Sequence, residues 1–374
     1  MKMYIHFTII FTALLFSISA LAEHNLRVAF INPGFSDLNN PTGGFWLSVS
    51  SSMKAAAEDL NIDLEIIYSD RNHIKMQRIA NELISRTNPP DYLLVVNEKL
   101  AAESIIIEAE KKDVNVFLML NRFEGEQHNR MGIPRGKYSN WIGSLIPDNR
   151  YAGYLSGKIL IEQALASGVK ADDGKLHLLG YAGDFVTQAS IERVGGLQQA
   201  VAEYPYVILK QVIPCYWSKD KAKRKTSSML KRYPQVGAIW AANDPIALGA
   251  IEGTREAGKI PGKDIFFSGL NWDAPGLEKI KNGEMVTSLG GHFLTGSWAL
   301  VLLYDYHNGE DFIDEGGQLQ YKIFGAIGRQ NIEQFSSQFG ERNWGEIDFS
   351  EFSKVLHPNI SRYDFSFDAL LKPR

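Results

Sequence analysis

Residues 236–250 read Val236-Gly237-Ala238-Ile239-Trp240-Ala241-Ala242-Asn243-Asp244-Pro245-Ile246-Ala247-Leu248-Gly249-Ala250. An apolar run, Val236–Trp240, ends in a short polar turn and reopens as a segment of helical period, Ile246–Ala257. The run does not alternate polar with apolar residues, so a strand there is buried on both faces. Asp244 followed by Pro245 reads as a helix N-cap with proline in the first turn. Strand, turn and covering helix together form the unit of a parallel α/β sheet.

Outward from this stretch the unit repeats. Further strand-like runs are Arg27–Ile31, Tyr92–Val96, Val114–Leu120, Leu176–Tyr181, Val207–Ile213 and Ile265–Phe267, with a short run at Val286–Leu289. Helical segments such as Trp46–Leu60, Leu100–Lys111, Tyr151–Ala166, Ile191–Glu203 and Lys221–Tyr233 lie between them. The fold class is therefore α/β, doubly wound. About a dozen such units exceed one ordinary sheet, which predicts two lobes. The Gly/Pro/Arg-rich stretch Glu124–Lys137 and the strand after it suggest where the first lobe ends. From Gly328 onward the rhythm breaks. Short helical pieces, Ile332–Phe339 and Phe349–Leu356, accompany Trp344, Phe349, Phe352 and Phe365, aromatic residues that favour burial, so this segment reads as an extension wrapping the body.

The chain has 374 residues, 45% hydrophobic and 22% charged, with a net charge of −4. That composition excludes a disordered or fibrous protein, and it lacks the basic surface of a general nucleic-acid binder. Lys2 is the only charge among the first 22 residues, where Ile5–Ile18 is mostly apolar and Ala20-Leu21-Ala22 forms a small-x-small site. This predicts an export signal over 1–22 and, in a Gram-negative bacterium, a periplasmic product. The apolar stretch falls short of the ~20 residues that span a bilayer.

Common α/β enzyme signatures are missing. There is no G-x-x-x-x-G-K-[ST] loop, no G-x-G-x-x-G after the first strand and no G-x-S-x-G elbow. The eight histidines form no ligand pair, and the single Cys215 has no local motif, so no metal or cofactor is implied.

In open α/β sheets ligands sit beyond the carboxyl ends of the strands. The residues standing there are Asn40, Phe45 and Trp46; Asn121 and Arg122; Cys215, Tyr216 and Trp217; Asn243; Asn271, Trp272 and Asp273; and His292. Arg193 lies in the helix after Leu176–Tyr181. Amides donate and accept as hydroxyls do, arginine donates a fixed fork, and aromatic faces cover the C–H faces of a sugar ring. Each residue also has a plainer reading. Asp244 is a cap before it is a ligand contact, Asn121 and Asn271 can satisfy loop backbone, Phe45 and Trp46 can be core, Arg193 a surface charge and His292 a loop hydrogen-bonder. Their shared position at strand ends is the stronger signal.

Across roughly Asn25–Ile327 the sequence resembles the ribose-binding-protein-like branch of type 1 periplasmic binding proteins. The resemblance rests on Leu38-Asn39-Asn40-Pro41 with Phe45-Trp46, Leu120-Asn121-Arg122, Ile191-Glu192-Arg193, Ala242–Ala250 and Ser268-Gly269-Leu270-Asn271. It implies two Rossmann-like lobes joined by three crossovers: residues 23–143 with about 291–318, then 144–290 with about 319–327, and an extension over 328–374. By position, Asn40, Phe45, Trp46, Asn121 and Arg122 would face the ligand from the first lobe, and Arg193, Trp217, Asn243 and Asn271 from the second or the hinge. Two departures stand out, since Asn121 and Asn271 occupy positions where the family carries Asp. They make the cleft less negative and suggest a sugar acid or other anionic ligand. Thr42-Gly43-Gly44 is inserted ahead of the aromatic pair. The resemblance further implies a monomer without cofactor that captures a small carbohydrate and presents it to an ABC importer. Longer tails occur in relatives that report to sensor kinases, such as the autoinducer-2 receptor, so a signalling receptor is the alternative. A lactose-repressor-like regulator is disfavoured by the export signal and the lack of a basic helix-turn-helix. A sugar-modifying enzyme lacks a tuned acid or nucleophile.

Overall fold

A computed structural model describes residues 25–37, 40, 44–340 and 343–371. The export signal expected over 1–22, and Leu38, Asn39, Thr42 and Gly43, lie outside the described residues.

Two six-stranded sheets form the body. The first contains β1 (Arg27–Asn32), β2 (Asp63–Tyr68), β3 (Tyr92–Val96), β4 (Asn115–Met119), β5 (Trp141–Pro147) and β11 (Gln318–Tyr321). Its order is β11-β5-β4-β3-β1-β2, and every pair is parallel. The second contains β6 (Leu176–Ala182), β7 (Val207–Pro214), β8 (Val236–Ala241), β9 (Phe266–Leu270), β10 (Thr287–Gly290) and β12 (Gly325–Gly328). It runs β12-β10-β9-β8-β6-β7, with only β12 antiparallel to its neighbour. The central strands β3 and β8 are buried at every position, as their unbroken apolar sequence requires.

Helices α1 (Phe45–Asp59), α2 (His73–Ile84), α3 (Ala102–Lys111) and α4 (Gly125–Met131) cover the first sheet, joined there by α10 (Thr295–His307). Helices α5 (Asn149–Ala166), α6 (Gln188–Ala202), α7 (Lys219–Arg232), α8 (Asp244–Glu256) and α9 (Ala274–Lys281) cover the second. Among the described residues no helix is long and apolar enough to cross a membrane.

The chain passes between lobes three times: from β5 into α5, from β10 into α10, and from β11 to β12. The first and third of these passages fall slightly later than the boundaries read from sequence. Strand β5 belongs to the first sheet through Pro147, and β11 through Tyr321. The stretch Glu124–Lys137 holds α4 and lies within the first lobe.

The expected cap at Asp244 is displaced by one residue. Asn243 has extended backbone, and its side chain accepts from the Ile246 amide, so Asn243 is the cap. Asp244 is instead wholly buried, accepting from the Ser288 hydroxyl and the Asp273 amide, which ties α8 to β10 and to the loop after β9.

The extension packs inward. Helix α11 (Ile332–Phe339) matches the sequence reading, and α12 (Phe367–Leu371) closes the described chain. The predicted helix 349–356 shortens to one 3-10 turn, Phe349–Phe352. The amides of Lys354 and Val355 donate to buried Asp305 of α10 instead of to helical carbonyls. The Ser353 hydroxyl and Tyr363 Oη donate to the same carboxylate.

Candidate functional site

A cavity partly open to solvent lies between the lobes at the carboxyl ends of both sheets. Phe45, Trp46, Leu120, Asn121, Arg71 and Glu98 line it from the first lobe. Thr187, Ala189, Arg193, Trp217, Asn243 and Asn271 line it from the second, and Pro147, Asn149 and His292 from the segments that cross between the lobes. Four of these, Arg71, Leu120, Trp217 and Asn271, have positive φ values of 57°, 68°, 59° and 139°. Left-handed backbone at non-glycine residues is unfavourable, and here it gathers on the wall of one cavity.

Arg193 owes its place to the packing of α5 on α6. A Cβ on Gly153 would come within 1.9 Å of the Arg193 carbonyl, so only glycine permits this approach. The guanidinium is buried; Nε donates to Asn149 Oδ1 at 2.9 Å and Nη1 to the Ala242 carbonyl at 2.9 Å. Burial pulls its pKa down to about 9, opposed by attraction to Glu192, and it stays cationic at neutral pH. The rings of Trp217 and Phe324 each lie 5.8 Å from it. Gly183 makes room for Trp217, whose indole occupies the space a Cβ would need. Trp217 Nε1 donates to Asp184 Oδ2 at 2.8 Å, which fixes the ring plane.

His292 is sandwiched between Phe45 and Phe324, each stacked at 4.7 Å. Burial and the adjacent Arg193 charge push its pKa well below 6.5, so the ring is neutral. Across the cavity Arg71 pairs with buried Glu98 at 3.1 Å. Burial raises the Glu98 pKa, against the attraction of Arg71.

Three amides that line this space each keep one polar atom unused. Asn121 Oδ1 accepts from the Ala189 amide at 3.3 Å, Asn243 Oδ1 caps α8, and Asn271 Nδ2 reaches Asp273 at 3.4 Å. The other polar atom of each amide makes no hydrogen bond among the described residues.

Of the residues singled out from sequence, Asn40, Arg122 and Trp272 lie off the cavity. Asn40 donates to the Asp37 carbonyl in an exposed loop. Arg122 turns sideways to Glu124 and, across the cleft, to Glu192 at 2.8 Å. Trp272 points away from Asn271 into the aromatic cluster of the extension, 5.0 Å from Phe335 and 4.8 Å from Phe367. Cys215 is fully buried, and burial raises its thiol pKa to about 12, which leaves no nucleophile there. Sequence reasoning passed over Arg71, Glu98, Asn149 and Thr187. Glu98 follows β3 by two residues, so the strand-end rule would have found it.

Residues 36–311 match the family model described as periplasmic binding protein domain. The chain belongs to this family. A ribose import binding protein of Salmonella typhimurium is 25% identical over 279 residues, covering 74% of this chain and 83% of the relative. The D-allose-binding periplasmic protein of Escherichia coli is 22% identical over 317 residues, 84% of this chain and 94% of the relative. A crystal structure of a periplasmic sugar-binding protein from Pseudomonas fluorescens superposes with a TM-score of 0.80 at 34% identity, covering 93% of this chain and all of that one. Such coverage requires part of the segment beyond residue 311, so the likeness extends past the family model into the tail. The family is one of binding proteins, not catalysts.

Proposed function

We propose that this protein is the soluble sugar receptor of an ABC import system, holding its ligand in the cleft between the lobes. The observation that carries the reading is the convergence of Asn121, Asn243 and Asn271, each with an unused polar atom, on a cavity walled by Phe45, Trp46 and Trp217. Amides match hydroxyls, and aromatic faces match the apolar faces of a sugar. A ligand touching both lobes is bound fully only when they close, so binding shifts the population toward the closed form. Uptake is favoured over signalling because relatives are named for import or for sugar binding. Export of a mature chain beginning near Glu23 belongs to the same reading.

The test is a thermal-shift screen of the mature chain against pentoses, hexoses and polyols. A ligand at ~100 times its Kd stabilises by about 2.7 kcal/mol. A midpoint rise that Asn243→Ala and Trp217→Ala both abolish supports the receptor reading. A rise that survives both substitutions places the ligand elsewhere.

A further inference from the structure

Of the two arginines that line the cavity, only one has a direct ion pair among the described residues. Arg71 and Glu98 form one neutral pair. Arg193 is left over: its two hydrogen-bond partners, Asn149 Oδ1 and the Ala242 carbonyl, are uncharged. Nη2 makes no bond among the described residues, and Arg193 has no ion-pair partner there.

No carboxylate bonds Arg193 directly, although Glu192 attracts it through space and keeps a buried Oε2 without a partner among the described residues. Glu192 accepts from Arg122 and from Gln188. Asp184 accepts from Trp217, from the Thr187 hydroxyl and amide, and from the Val186 amide. His292, whose charge would otherwise add to that of Arg193, is held neutral, and its buried Nδ1 is unpartnered. Hydroxyl dipoles can satisfy the hydrogen-bonding capacity of a guanidinium but cannot cancel its charge, and a buried unpaired charge is costly.

We infer that the ligand is a monoanionic sugar acid whose carboxylate pairs with Arg193, an inference that rests on the sugar-receptor reading above. The amides and the Arg71–Glu98 pair serve the hydroxyls. A carboxylate gives Arg193 the one direct ion pair it lacks, and a phosphate, carrying nearly two charges, exceeds that.

Calorimetric titration of the mature chain with matched pairs decides the matter: glucose against glucuronate and gluconate, galactose against galacturonate, with glucose 6-phosphate alongside. At least one acid should bind ten-fold or more tightly than its neutral parent. Ring uronate against open-chain aldonate identifies which acid class the cavity takes. Arg193→Gln should abolish the preference, and Arg193→Lys should retain part of it. The melting midpoint of each variant without ligand reports whether it has folded, and the wild-type pairs are decisive even if Arg193→Gln has not. Neutral sugars binding as tightly as their acids overturn the inference and leave the receptor reading intact. Tighter binding of the phosphate overturns the carboxylate assignment. Failure of every neutral sugar and every acid to bind removes the receptor reading, and this inference with it.

Discussion

His292 lies between two aromatic rings beside a buried cation, and this environment sets how the protein responds to acid. The folded-state pKa is below 6.5, so under that value the unfolded chain binds a proton that the folded chain refuses. Stability therefore falls as pH falls, by up to ~1.4 kcal/mol per pH unit from this group. Glu98 and Glu192, with raised pKa values, drift in the opposite direction. Comparison with His292→Gln cancels their contribution. The stability advantage of wild type over His292→Gln, measured by denaturant unfolding, should shrink between pH 7 and pH 5. An advantage constant over that range would mean that the ring does not titrate differently in the folded chain.

At the scale of elements, the N-terminus of α6 meets the loop after β4 across the cleft. Arg122 bonds Glu192, Gln188 bonds Glu124 at 3.1 Å, and the Ala189 amide bonds Asn121. These are lobe-to-lobe contacts, and we propose that Arg122 is a closure contact rather than a ligand contact. Arg122 is 34% exposed, so its pair contributes no more than about 1 kcal/mol. Arg122→Ala should accelerate ligand release about five-fold at most, with the order of ligand preference unchanged. A hundred-fold loss in stopped-flow measurements, or a changed preference, would return Arg122 to the ligand.

The elements legible in the sequence were those whose environment is uniform along their length. Strands β3 and β8, buried on both faces, read as unbroken apolar runs. Strand β2 did not, because it is a half-exposed edge that carries Asp63 and Glu65. Arg71 was lost with it, since it stands in the turn that β2 leads into. Strand β5 was legible only as a strand after Glu124–Lys137, without bounds, because Gly143 interrupts its apolar run where the rings of Phe117 and Phe312 leave no room for a Cβ. Helix α10 is buried on nearly all sides, so it lacks the apolar stripe that marks a surface helix. The orientations of Arg122 and Trp272 depend on partners far away in the chain, Glu192 and the extension, and position at a strand end does not determine them.

For the whole molecule, the extension is a structural member joined to both lobes. Trp298 of α10, in the first lobe, stacks on Phe365 at 4.8 Å and 9° and also meets Phe349 and Phe352. Trp272, in the second lobe, meets Phe335 and Phe367. Trp344 lies 4.5 Å from Phe293, the residue after His292. Removing a buried aromatic side chain costs about 3–5 kcal/mol. Phe365→Ala and Trp344→Ala should each lower the melting midpoint by several degrees, on the order of 5–10 °C. Their effects on binding should diverge. Trp344 backs the segment that holds His292 against the cavity, so its loss should weaken ligand binding at temperatures where both variants remain folded. Phe365 packs on the first lobe away from the cavity, so its loss should leave Kd unchanged. If neither midpoint moved, the extension would be an appendage whose ordering offsets its burial. If both variants bound ligand equally, the contact behind His292 would be one of stability alone.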